Sequence, residues 1–466
     1  MILSARIRPL FLFLLFAFCA QAEEVFTRTQ VSMSDEYELL VDGQPVPIYI
    51  ASQQYDGGAY FFANFDLSRP SKITVRSTHD LSEAQLLPER HLFKVSHEGT
   101  NELSFRAAKP FHAVVEWDDR TRPLILFANA PERDKPIPSD STVVYFGPGR
   151  HEAGLITLHT GQTLYLAEGA VVCGGVKAEG DDITVCGRGI LTGDGYERWH
   201  GPQGYVLLAQ NCRNFRLRDI TVAHSYSWTV VFKDCDGVDV DNLKVCASNM
   251  LNDDAVDICN SSHVHIHHSF LRCQDDNIAI KGLAPDNPQP CENISISHCE
   301  FWTDCANVFR IGYECDASVM RHIEARHIDV IHYARDYREP TDHWSNCIFW
   351  IQPAAGMTIE QCRFEDFRIH ADGLDAILLE AKSFSDATGP GSDYQPYGKG
   401  GSARDMLFRN IRVEGRQGAF RGAVWLEGQS DEESISGIRL KGIRYFGRTI
   451  RPTSPEVTVK KHASFR

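Results

Sequence analysis

The first part of the chain shows a short-range alternation of apolar and polar positions. Runs such as residues 37–41 and 72–76 alternate in this way, and Gly and Asp turns, as at Asp42 and Gly43, separate them. Strict alternation is typical of strands that bury one face. The stretch up to about residue 130 is therefore predicted to be all-β, in the form of a small β-sandwich.

From Val143 onward the pattern changes to short runs rich in Val, Ile, Leu and Cys, with Gly, Asn and Asp between them. The apolar pattern of residues 215–222 returns 23 residues later, in residues 238–245. A repeat of this length built from short strands indicates a solenoid, and parallel crossovers are right-handed. The prediction for this part is a right-handed parallel β-helix.

Three prolines within residues 131–138 mark a linker between the two parts. A run rich in Gly, Ser, Pro and Asp, residues 383–402, is the largest candidate loop or lid. The predicted division is a signal peptide over 1–22, an N-terminal β-sandwich over 23–135, a β-helix catalytic domain over 143–450 and a C-terminal tail over 451–466.

The first 22 residues have the layout of a secretory signal peptide: Arg6 and Arg8, an apolar run over residues 10–18, and Ala-Gln-Ala before Glu23. Cleavage there removes two cations and no anion, so the net charge falls from −15 to −17. A chain this acidic is a poor nucleic-acid binder. We expect a secreted protein, periplasmic or extracellular, without a membrane attachment after cleavage, because no other apolar run is long enough to span a bilayer.

Two acidic clusters lie about one predicted coil apart. Asp253, Asp254 and Asp257 form the first, and Asp275 and Asp276 form the second. Asp254 and Asp275 are 21 residues apart, and residues one period apart stack at about 4.8 Å in a solenoid. Both clusters are therefore predicted to face one groove, where mutual repulsion raises at least one pKa and separates an acid from a base. Acidic residues that only form turns are the simpler alternative.

With the period and the clusters established, residues 144–413 resemble glycoside hydrolase family 28, the polygalacturonases, and its clan relative family 49, the dextranases. Residues 252–257, Asn-Asp-Asp-Ala-Val-Asp, are similar to the family's Asn-Thr-Asp-Gly-x-Asp. Residues 274–282, Gln-Asp-Asp-Asn-Ile-Ala-Ile-Lys-Gly, are similar to its Gln-Asp-Asp-Cys-Ile-Ala-Ile-Lys-Ser-Gly, and residues 311–314 to its Ile-Gly-Ser-Glu. The resemblance implies an inverting β-helix glycosidase that acts on a polysaccharide or oligosaccharide without a cofactor or a metal.

The resemblance also implies a role for each acidic residue. Asp275 would be the general acid that protonates the leaving glycosidic oxygen, and Asp254 and Asp276 would hold and deprotonate the attacking water. Inverting enzymes keep such carboxylates about 6.5–9.5 Å apart to admit that water. Lys281 would bind a substrate hydroxyl or balance charge, with a surface lysine as the alternative, and Asp257 would orient a turn.

Two departures from the family pattern bear on the substrate. Asn307 stands where polygalacturonases carry the His of Gly-His-Gly, and Trp350 and Gln352 replace the Arg-x-Lys pair that holds a uronate carboxylate. A buried carboxylate needs cationic partners, although Arg310 could supply a new charge. A neutral α-linked glycan or a decorated pectic glycan is therefore predicted, with Asn307, Arg310, Trp344, Trp350 and Gln352 as substrate contacts.

Other functions stay open at this level. A true polygalacturonate hydrolase would have to hold the uronate with different residues. A polysaccharide lyase would use Ca²⁺ and an Arg or Lys base, and it also needs a uronate. A non-catalytic glycan-binding β-helix would need no aspartate pair at this spacing.

Cysteine and histidine patterns indicate structure more than metal binding. Cys212, Cys235 and Cys259 recur at coil-like intervals, as do Cys246, Cys273 and Cys299, and no C-x-x-C pair is present. A buried ladder of thiols is therefore predicted instead of a zinc site. The histidines at 263, 265 and 267 alternate with apolar residues, so they are predicted to line the solvent face of a strand.

Overall fold

A computed structural model describes residues 30–53, 58–117, 122–333, 347–372, 376–385, 398–418 and 422–466. The predicted signal peptide, Trp344 and most of the predicted lid over 383–402 lie outside these residues. None of the helical segments in the described ranges has the length and hydropathy that a bilayer crossing requires. The described chain is almost entirely β-structure, so the all-β prediction is confirmed.

The described N-terminal part consists of short strands and one 3₁₀ helix, Glu89–His91. Its strands are β1 (Ser32–Met33), β2 (Tyr37–Val41), β3 (Gln44–Val46), β4 (Tyr49–Ser52), β5 (Ala59–Asp66), β6 (Ser71–Ser77), β7 (Gln85–Leu87), β8 (Ser96–Glu98), β9 (Glu102–Ala107), β10 (Phe111–Glu116) and β11 (Leu124–Asn129).

These strands form two sheets, with the orders β1-β4-β5-β11-β10-β7 and β3-β2-β6-β9-β8. Alternation along β9 buries Leu103, Phe105 and Ala107. They belong to one hydrophobic cluster with residues of the other sheet, such as Leu126 and Phe61. Burial of apolar surface between the two sheets therefore stabilises this part of the chain.

The rest of the described chain forms a single large sheet that coils on itself. Its strands are β12 (Val143–Phe146), β13 (Gly149–Leu158), β14 (Thr163–Leu166), β15 (Ala170–Asp181), β16 (Thr184–Gly187), β17 (Ile190–Thr192), β18 (Leu207–Arg218), β19 (Thr221–Ala223), β20 (Val230–Lys233), β21 (Asp236–Asp241), β22 (Lys244–Cys246), β23 (Val256–Cys259), β24 (Ser262–His267), β25 (Phe270–Cys273), β26 (Ile278–Leu283), β27 (Cys291–Thr303), β28 (Phe309–Asp316), β29 (Met320–Tyr333), β30 (Phe349–Gln352), β31 (Thr358–Asp372), β32 (Leu379–Lys382), β33 (Ser402–Arg404), β34 (Leu407–Arg416), β35 (Val424–Glu427), β36 (Ile435–Lys441), β37 (Ile443–Tyr445), β38 (Arg448–Ile450), β39 (Val457–Val459) and β40 (Ala463–Phe465).

The strand register shows that the sequence repeat corresponds to one coil. Phe215 pairs with Val238, Val238 with Val264, and Val264 with Ile294, each in parallel. Among the described strands of this sheet, the β37–β38 pair is antiparallel and the other strand pairs are parallel. The prediction of a parallel β-helix is therefore confirmed.

Stacked columns of apolar side chains fill the interior of the coil. One column runs through Val230, Val256, Ile278, Phe309 and Phe349, all fully buried. The rings of Phe309 and Phe349 stack with their centroids 5.8 Å apart. Since neighbouring parallel strands lie about 4.8 Å apart, each side chain of the column covers the next. The acidic clusters lie just before strands that contribute to this column.

One corner of successive coils has a left-handed backbone conformation. Asn, Asp and His tolerate this conformation better than other residues with a Cβ atom, so they recur at the corner. The rings of His268 and His298 there have centroids 5.6 Å apart, and those of His298 and His327 are 4.8 Å apart. The corner residues, with φ between 51° and 71°, are Asp219, Asn242, His268, His298, His327, Asp366 and Asn410.

The thirteen described cysteines are free thiols, and all but Cys305 are buried. Cys212 and Cys235 lie side by side, but the rest of the predicted thiol ladder is wrong. The register pairs Cys259 with Lys233 and Cys246 with Arg272. Loops of unequal length separate the strands, so a similar sequence interval does not give the same position in the coil.

The N-terminal sheets pack directly on the β-helix. The rings of Phe127 and Phe270 have centroids 5.3 Å apart. The fully buried guanidinium of Arg272 lies between two rings, 4.2 Å from the centroid of Tyr60 and 4.0 Å from that of Trp302. It also donates a hydrogen bond to Oε1 of Gln53. These cation–π and hydrogen-bond contacts join the two parts of the chain behind β25.

The last residues differ from the predicted tail over 451–466. Strands β39 and β40 pair in parallel with β35 and β36, so the end of the chain continues the coil. Each of the two strands has only three residues, none of them fully buried. Such short, half-exposed strands leave too little apolar pattern in the sequence to predict them.

Candidate active site

Three carboxylates meet at one edge of the β-helix. Asp254 precedes β23, and Asp275 and Asp276 precede β26 on the next coil. Val256 pairs with Ile278, so the segments before these strands lie side by side. Each of the three aspartates places a carboxylate oxygen within 4.8 Å of the other two. Asp254 and Asp276 are buried, whereas Asp275 is partly exposed.

Asp253 holds the two acidic turns together instead of facing the groove. Its Oδ1 accepts the backbone N–H groups of Gln274 at 2.7 Å and Asp275 at 3.2 Å, and its Oδ2 accepts that of Asn249 at 3.0 Å. Burial raises the pKa of Asp253 to about 7, against the opposing effect of these hydrogen bonds. Nothing in the Asn-Asp-Asp motif indicates which carboxylate turns inward, so the sequence carries no signal for this position.

Lys281 is the cation of the first acidic cluster. Its Nζ lies 3.0 Å from Oδ2 of Asp254, 2.7 Å from Oδ1 of Asp257 and 3.5 Å from the ring centroid of Trp228. Burial opposes its charge, but the carboxylates of Asp254 and Asp257 raise the pKa of Lys281 well above its usual value. Burial raises the pKa of Asp257, with Lys281 acting in the other direction. Lys281 is therefore a buried, charge-balancing residue and not a surface lysine.

Asp276 is oriented by Asn307. Its Oδ1 accepts the backbone N–H of Asn307 at 3.1 Å and the side-chain Nδ2 at 2.6 Å. Nη1 of Arg310 lies 3.7 Å from its Oδ2. Burial raises the pKa of Asp276 to about 6, and the charge of Arg310 limits the rise. The Oδ1 of Asn307 accepts the backbone N–H of Cys347 at 2.9 Å, so this predicted substrate contact is fully buried and engaged within the protein.

Asp275 is the partly exposed member of the trio. Nδ2 of Asn252 donates to its Oδ2 at 3.4 Å. Burial, followed by the charges of Asp254 and Asp276, raises the pKa of Asp275 well above its usual range. The group thus combines two properties of a proton donor, because its pKa is raised and its side chain is partly exposed.

Arg310 and Gln352 form a second cluster beside Asp276. Nε of Arg310 donates to Oε1 of Gln352 at 3.1 Å, and the guanidinium carbon lies 4.2 Å from the ring centroid of Tyr313 and 5.1 Å from that of Trp350. Pairing of β28 with β30 sets Arg310 beside Trp350. Three of the predicted substrate contacts are therefore together, although Gln352 is fully buried and Trp350 is only 8% exposed.

Arg198, which lies outside the predicted set, connects to Asp275 through Asn252. Nη2 of Arg198 donates to Oδ1 of Asn252, whose amide contacts Asp275. The neighbouring Trp199 is 47% exposed, and its ring centroid lies 6.5 Å from that of Trp228. Arg198 lies about two coils earlier in the sequence, in a loop without the repeat, so counting residues could not bring it to the site.

The trio is also a donor set of the kind that hard cations prefer. In this structure Lys281 and Arg310 supply positive charge, at 3.0 Å from Asp254 and 3.7 Å from Asp276. The carboxylates are thus balanced by the protein's own cations. That the site uses no metal and no cofactor stays a prediction.

A protonated carboxyl group beside two braced carboxylates can donate one proton and accept another. The separation of about 6.5–9.5 Å expected of an inverting enzyme stays a prediction. One carboxylate oxygen of each aspartate lies within 4.8 Å of an oxygen of each of the other two, so the three groups are close enough to act on one substrate. Asp275 and Asp276 are consecutive and Asp254 is one strand spacing away, so the geometry of the coil brings the three together.

Comparison with known proteins gives a partial match in sequence and a longer one in fold. The family described as "Glycosyl hydrolases family 28" matches residues 175–304. These residues include the three aspartates and Lys281 but end before Asn307, Arg310, Trp350 and Gln352. The sequence is similar to that of an endo-polygalacturonase from Pectobacterium carotovorum subsp. carotovorum, with 36% identity over 99 residues, or 21% of this chain and 24% of that protein. The chain thus matches only about a quarter of the length of this curated relative.

Two solved structures share the architecture. Dex49A from Penicillium minioluteum superposes with a TM-score of 0.64 at 11% identity, over 94% of this chain and 95% of that chain. The family 28 exopolygalacturonase from Yersinia enterocolitica superposes with a TM-score of 0.52 at 12% identity, over 85% of this chain and 95% of that chain. At these identities the likeness concerns the fold. Together with the family match, it confirms that this chain resembles the clan of β-helix glycosidases formed by families 28 and 49.

Proposed function

We propose that this protein hydrolyses O-glycosidic bonds in an α-linked polysaccharide or oligosaccharide. The observation that carries the proposal is the trio of aspartates with oxygens within 4.8 Å of one another. Within it, Asp275 is partly exposed and has a raised pKa, while Asp254 and Asp276 are buried beside cations. Environments that separate the pKa values of neighbouring carboxyl groups are typical of acid–base catalysis.

In the proposed mechanism, Asp275 donates its proton to the glycosidic oxygen as the bond to the anomeric carbon breaks. Asp276, with a pKa of about 6, is ionised in neutral solution and takes a proton from the attacking water. Asp254 holds that water while Lys281 balances its charge. The water oxygen forms the new bond to the anomeric carbon, so Asp275 ends ionised and Asp276 protonated. Asn307 is a positioning residue, because its two hydrogen bonds fix the carboxylate of Asp276.

We propose inversion at the anomeric carbon, as the resemblance implies. Retention needs a carboxylate that leaves its partners to attack the sugar. Asp254 is bound to Lys281 at 3.0 Å, and Asp276 accepts two hydrogen bonds from Asn307. Carboxylates held in this way are better suited to holding water than to forming a covalent intermediate.

A neutral or decorated glycan is the proposed substrate. Among the described residues, Nε1 of Trp350 and Nε2 of Gln352 are buried donors without a hydrogen-bond partner. Buried donors are costly to leave unpaired, and sugar hydroxyls would accept from them. Arg310 already lies 3.7 Å from Asp276 and contacts Gln352, so much of its charge is used within the protein.

Polygalacturonate hydrolysis is the second candidate, and Arg310 is the observation that favours it. Its side chain is 17% exposed, so it is not fully enclosed by the protein. Arg–carboxylate pairs are strong and directional. A uronate could therefore be held by Arg310 in place of the missing Arg-x-Lys pair.

Product analysis on a panel of unmodified polygalacturonate, decorated pectic fragments and neutral α-glucans tests these proposals. We expect turnover of a neutral or decorated glycan, little turnover of unmodified polygalacturonate, and no unsaturated product of the kind that a lyase forms. Robust turnover of polygalacturonate that Arg310→Gln abolishes would establish the second candidate instead. Binding without a product from any glycan, unchanged in Asp275→Asn, would indicate a non-catalytic binding protein.

Three further sequence predictions belong to this proposal. They are the division into an N-terminal β-sandwich and a catalytic β-helix, the right-handed sense of the coil, and secretion after cleavage before Glu23. N-terminal sequencing of the protein recovered from the periplasm or the medium tests the last of these. A mature chain that starts with Glu23 is the expected result.

A further inference from the structure

A group of potential metal ligands joins two neighbouring coils. It shares no residue with the candidate active site. Asp241 on β21 pairs with His267 on β24. Oδ1 of Asp241 lies 3.0 Å from Nδ1 of His267 and 3.1 Å from Nδ1 of His268. The two Nδ1 atoms are themselves 3.1 Å apart. Three donor atoms from three residues thus form a nearly equilateral triangle.

The left-handed corner explains how two consecutive histidines reach one point. Successive side chains of an extended strand point to opposite faces. His268 has a φ of 51°, and this conformation turns its ring to the side on which His267 lies. The corner therefore creates the ligand pair, although the alternation in the sequence indicated solvent-facing histidines without a metal.

The hydrogen bonding of His267 leaves one nitrogen to be satisfied by a cation. Its Nε2 lies 3.2 Å from Oδ1 of Asp239, an acceptor to which only a protonated Nε2 can donate. A neutral ring then has a lone pair on Nδ1. That lone pair faces Oδ1 of Asp241, which is also an acceptor, at 3.0 Å. A second proton or a metal ion would remove this repulsion.

We propose that Asp241, His267 and His268 bind one divalent ion of the zinc type. Tetrahedral Zn²⁺ with bonds of about 2.0–2.1 Å needs ligand atoms about 3.3–3.4 Å apart, so shifts of a few tenths of an ångström complete the triangle. Imidazole nitrogen with one carboxylate selects zinc-like ions over magnesium or calcium. Asp239 is the outer partner that orients His267, an arrangement common at metal sites.

The position of the site gives the ion a structural effect. Asp241 and His267 lie on adjacent coils, so the ion links two coils side by side. Asp241 and His268 also line a cavity of about 700 Å³ between the N-terminal sheets and the β-helix. The side chains of Asp241, His267 and His268 are 41%, 31% and 62% exposed, so an ion from solution can reach them and the fourth coordination position is open to water.

Titration calorimetry with Zn²⁺ on the chelator-stripped full chain tests the proposal. We expect one ion per chain, a thermal midpoint that rises with Zn²⁺, and the visible absorption of four-coordinate Co²⁺ when that ion is used. His268→Asn and Asp241→Asn should abolish all three signals. Asp239→Asn should weaken the affinity about 10–100-fold.

His263→Asn is the matched control. His263 also has a left-handed conformation, with a φ of 55°, and contacts an aspartate of the preceding coil, Asp236, at 2.7 Å. It lies outside the triangle, so its replacement should leave Zn²⁺ binding unchanged. Absence of stoichiometric binding, or equal binding by His268→Asn and the parent, would overturn the proposal. Should Asp241→Asn fail to fold, His268→Asn decides alone, since Asn is common at left-handed corners.

Discussion

The Nζ of Lys281 lies 3.0 Å from Oδ2 of Asp254, and neither side chain is more than 3% exposed. The same nitrogen lies 2.7 Å from Asp257, so one buried cation is shared by two buried carboxylates. Taking ions out of water is costly, and their mutual attraction repays the cost only while both partners are present. The stability of the acidic cluster therefore depends on this lysine.

Lys281→Met should destabilise the protein by about 3–5 kcal/mol, because it leaves uncompensated buried charge. Unfolding in urea measures the loss. Adding Asp257→Asn should recover part of it, since one of the two unpaired carboxylates is then removed. Lys233→Met is a suitable control, because Lys233 occupies the position of Lys281 two coils earlier and is only half-buried. A cost for Lys281→Met no larger than for Lys233→Met would contradict the prediction.

Asp275→Asn should lower kcat about 10²–10⁴-fold with little change in KM, because the amide cannot protonate the leaving oxygen. The loss should shrink on a substrate with a nitrophenolate leaving group, which needs little protonation. Steady-state kinetics on the natural glycan and the nitrophenyl substrate measure both effects. A melting curve of the variant verifies folding, and near-normal activity of folded Asp275→Asn would refute the assignment.

Asp276→Asn should lose activity on both leaving groups alike, because water still has to be deprotonated. The wild-type profile of kcat/KM against pH should show an acidic limb near the pKa of about 6 that burial gives Asp276. Activity rises with pH through this value as the carboxylate ionises. Rescue of Asp276→Asn by the nitrophenolate leaving group would mean that the acid and base assignments are exchanged.

The pH dependence of stability should depend on Asp253. Burial raises its pKa from 3.8 to about 7 in the folded protein, so the folded state binds its proton more tightly than the unfolded state. The resulting stabilisation is complete below about pH 4 and is lost as the pH rises through 7. Melting curves between pH 4 and pH 8 should show a smaller decline in Asp253→Asn than in the parent. If the melting temperature of Asp253→Asn declines with pH as steeply as that of the parent, titratable groups other than Asp253 cause the decline.

Fresh product should carry the inverted anomeric configuration if water attacks directly. Proton NMR in the first minutes of the reaction, before mutarotation, measures it. Retention would instead favour a covalent glycosyl–enzyme intermediate. Trapping of a glycosyl group on Asp254 or Asp276 would then identify the nucleophile.

Contacts between neighbouring coils could be predicted from the sequence where the coils have the regular period. Val256 and Ile278 are 22 residues apart and pair in the structure, so the meeting of the acidic clusters followed from counting. Phe309 and Phe349 also pair, yet 40 residues separate them, so this pairing does not follow the regular period. The contacts of Arg310 with Trp350 and Gln352 cross this interval. Likewise, Asn307 aligned with a family histidine, but its engagement with Asp276 depends on side-chain direction, which the pattern does not contain.

The packing of Arg272 between Tyr60 and Trp302 limits how far the chain can be truncated. Arg272 stands three residues before Asp275, and its guanidinium is enclosed by a ring from each part of the chain. Deleting the N-terminal sheets would leave that cation without Tyr60 and Gln53 and open to water, at the base of the turn that carries Asp275. The β-helix is therefore not expected to keep the structure of this turn on its own. A transfer of the β-helix to another scaffold would need another aromatic ring in place of Tyr60 over the guanidinium of Arg272.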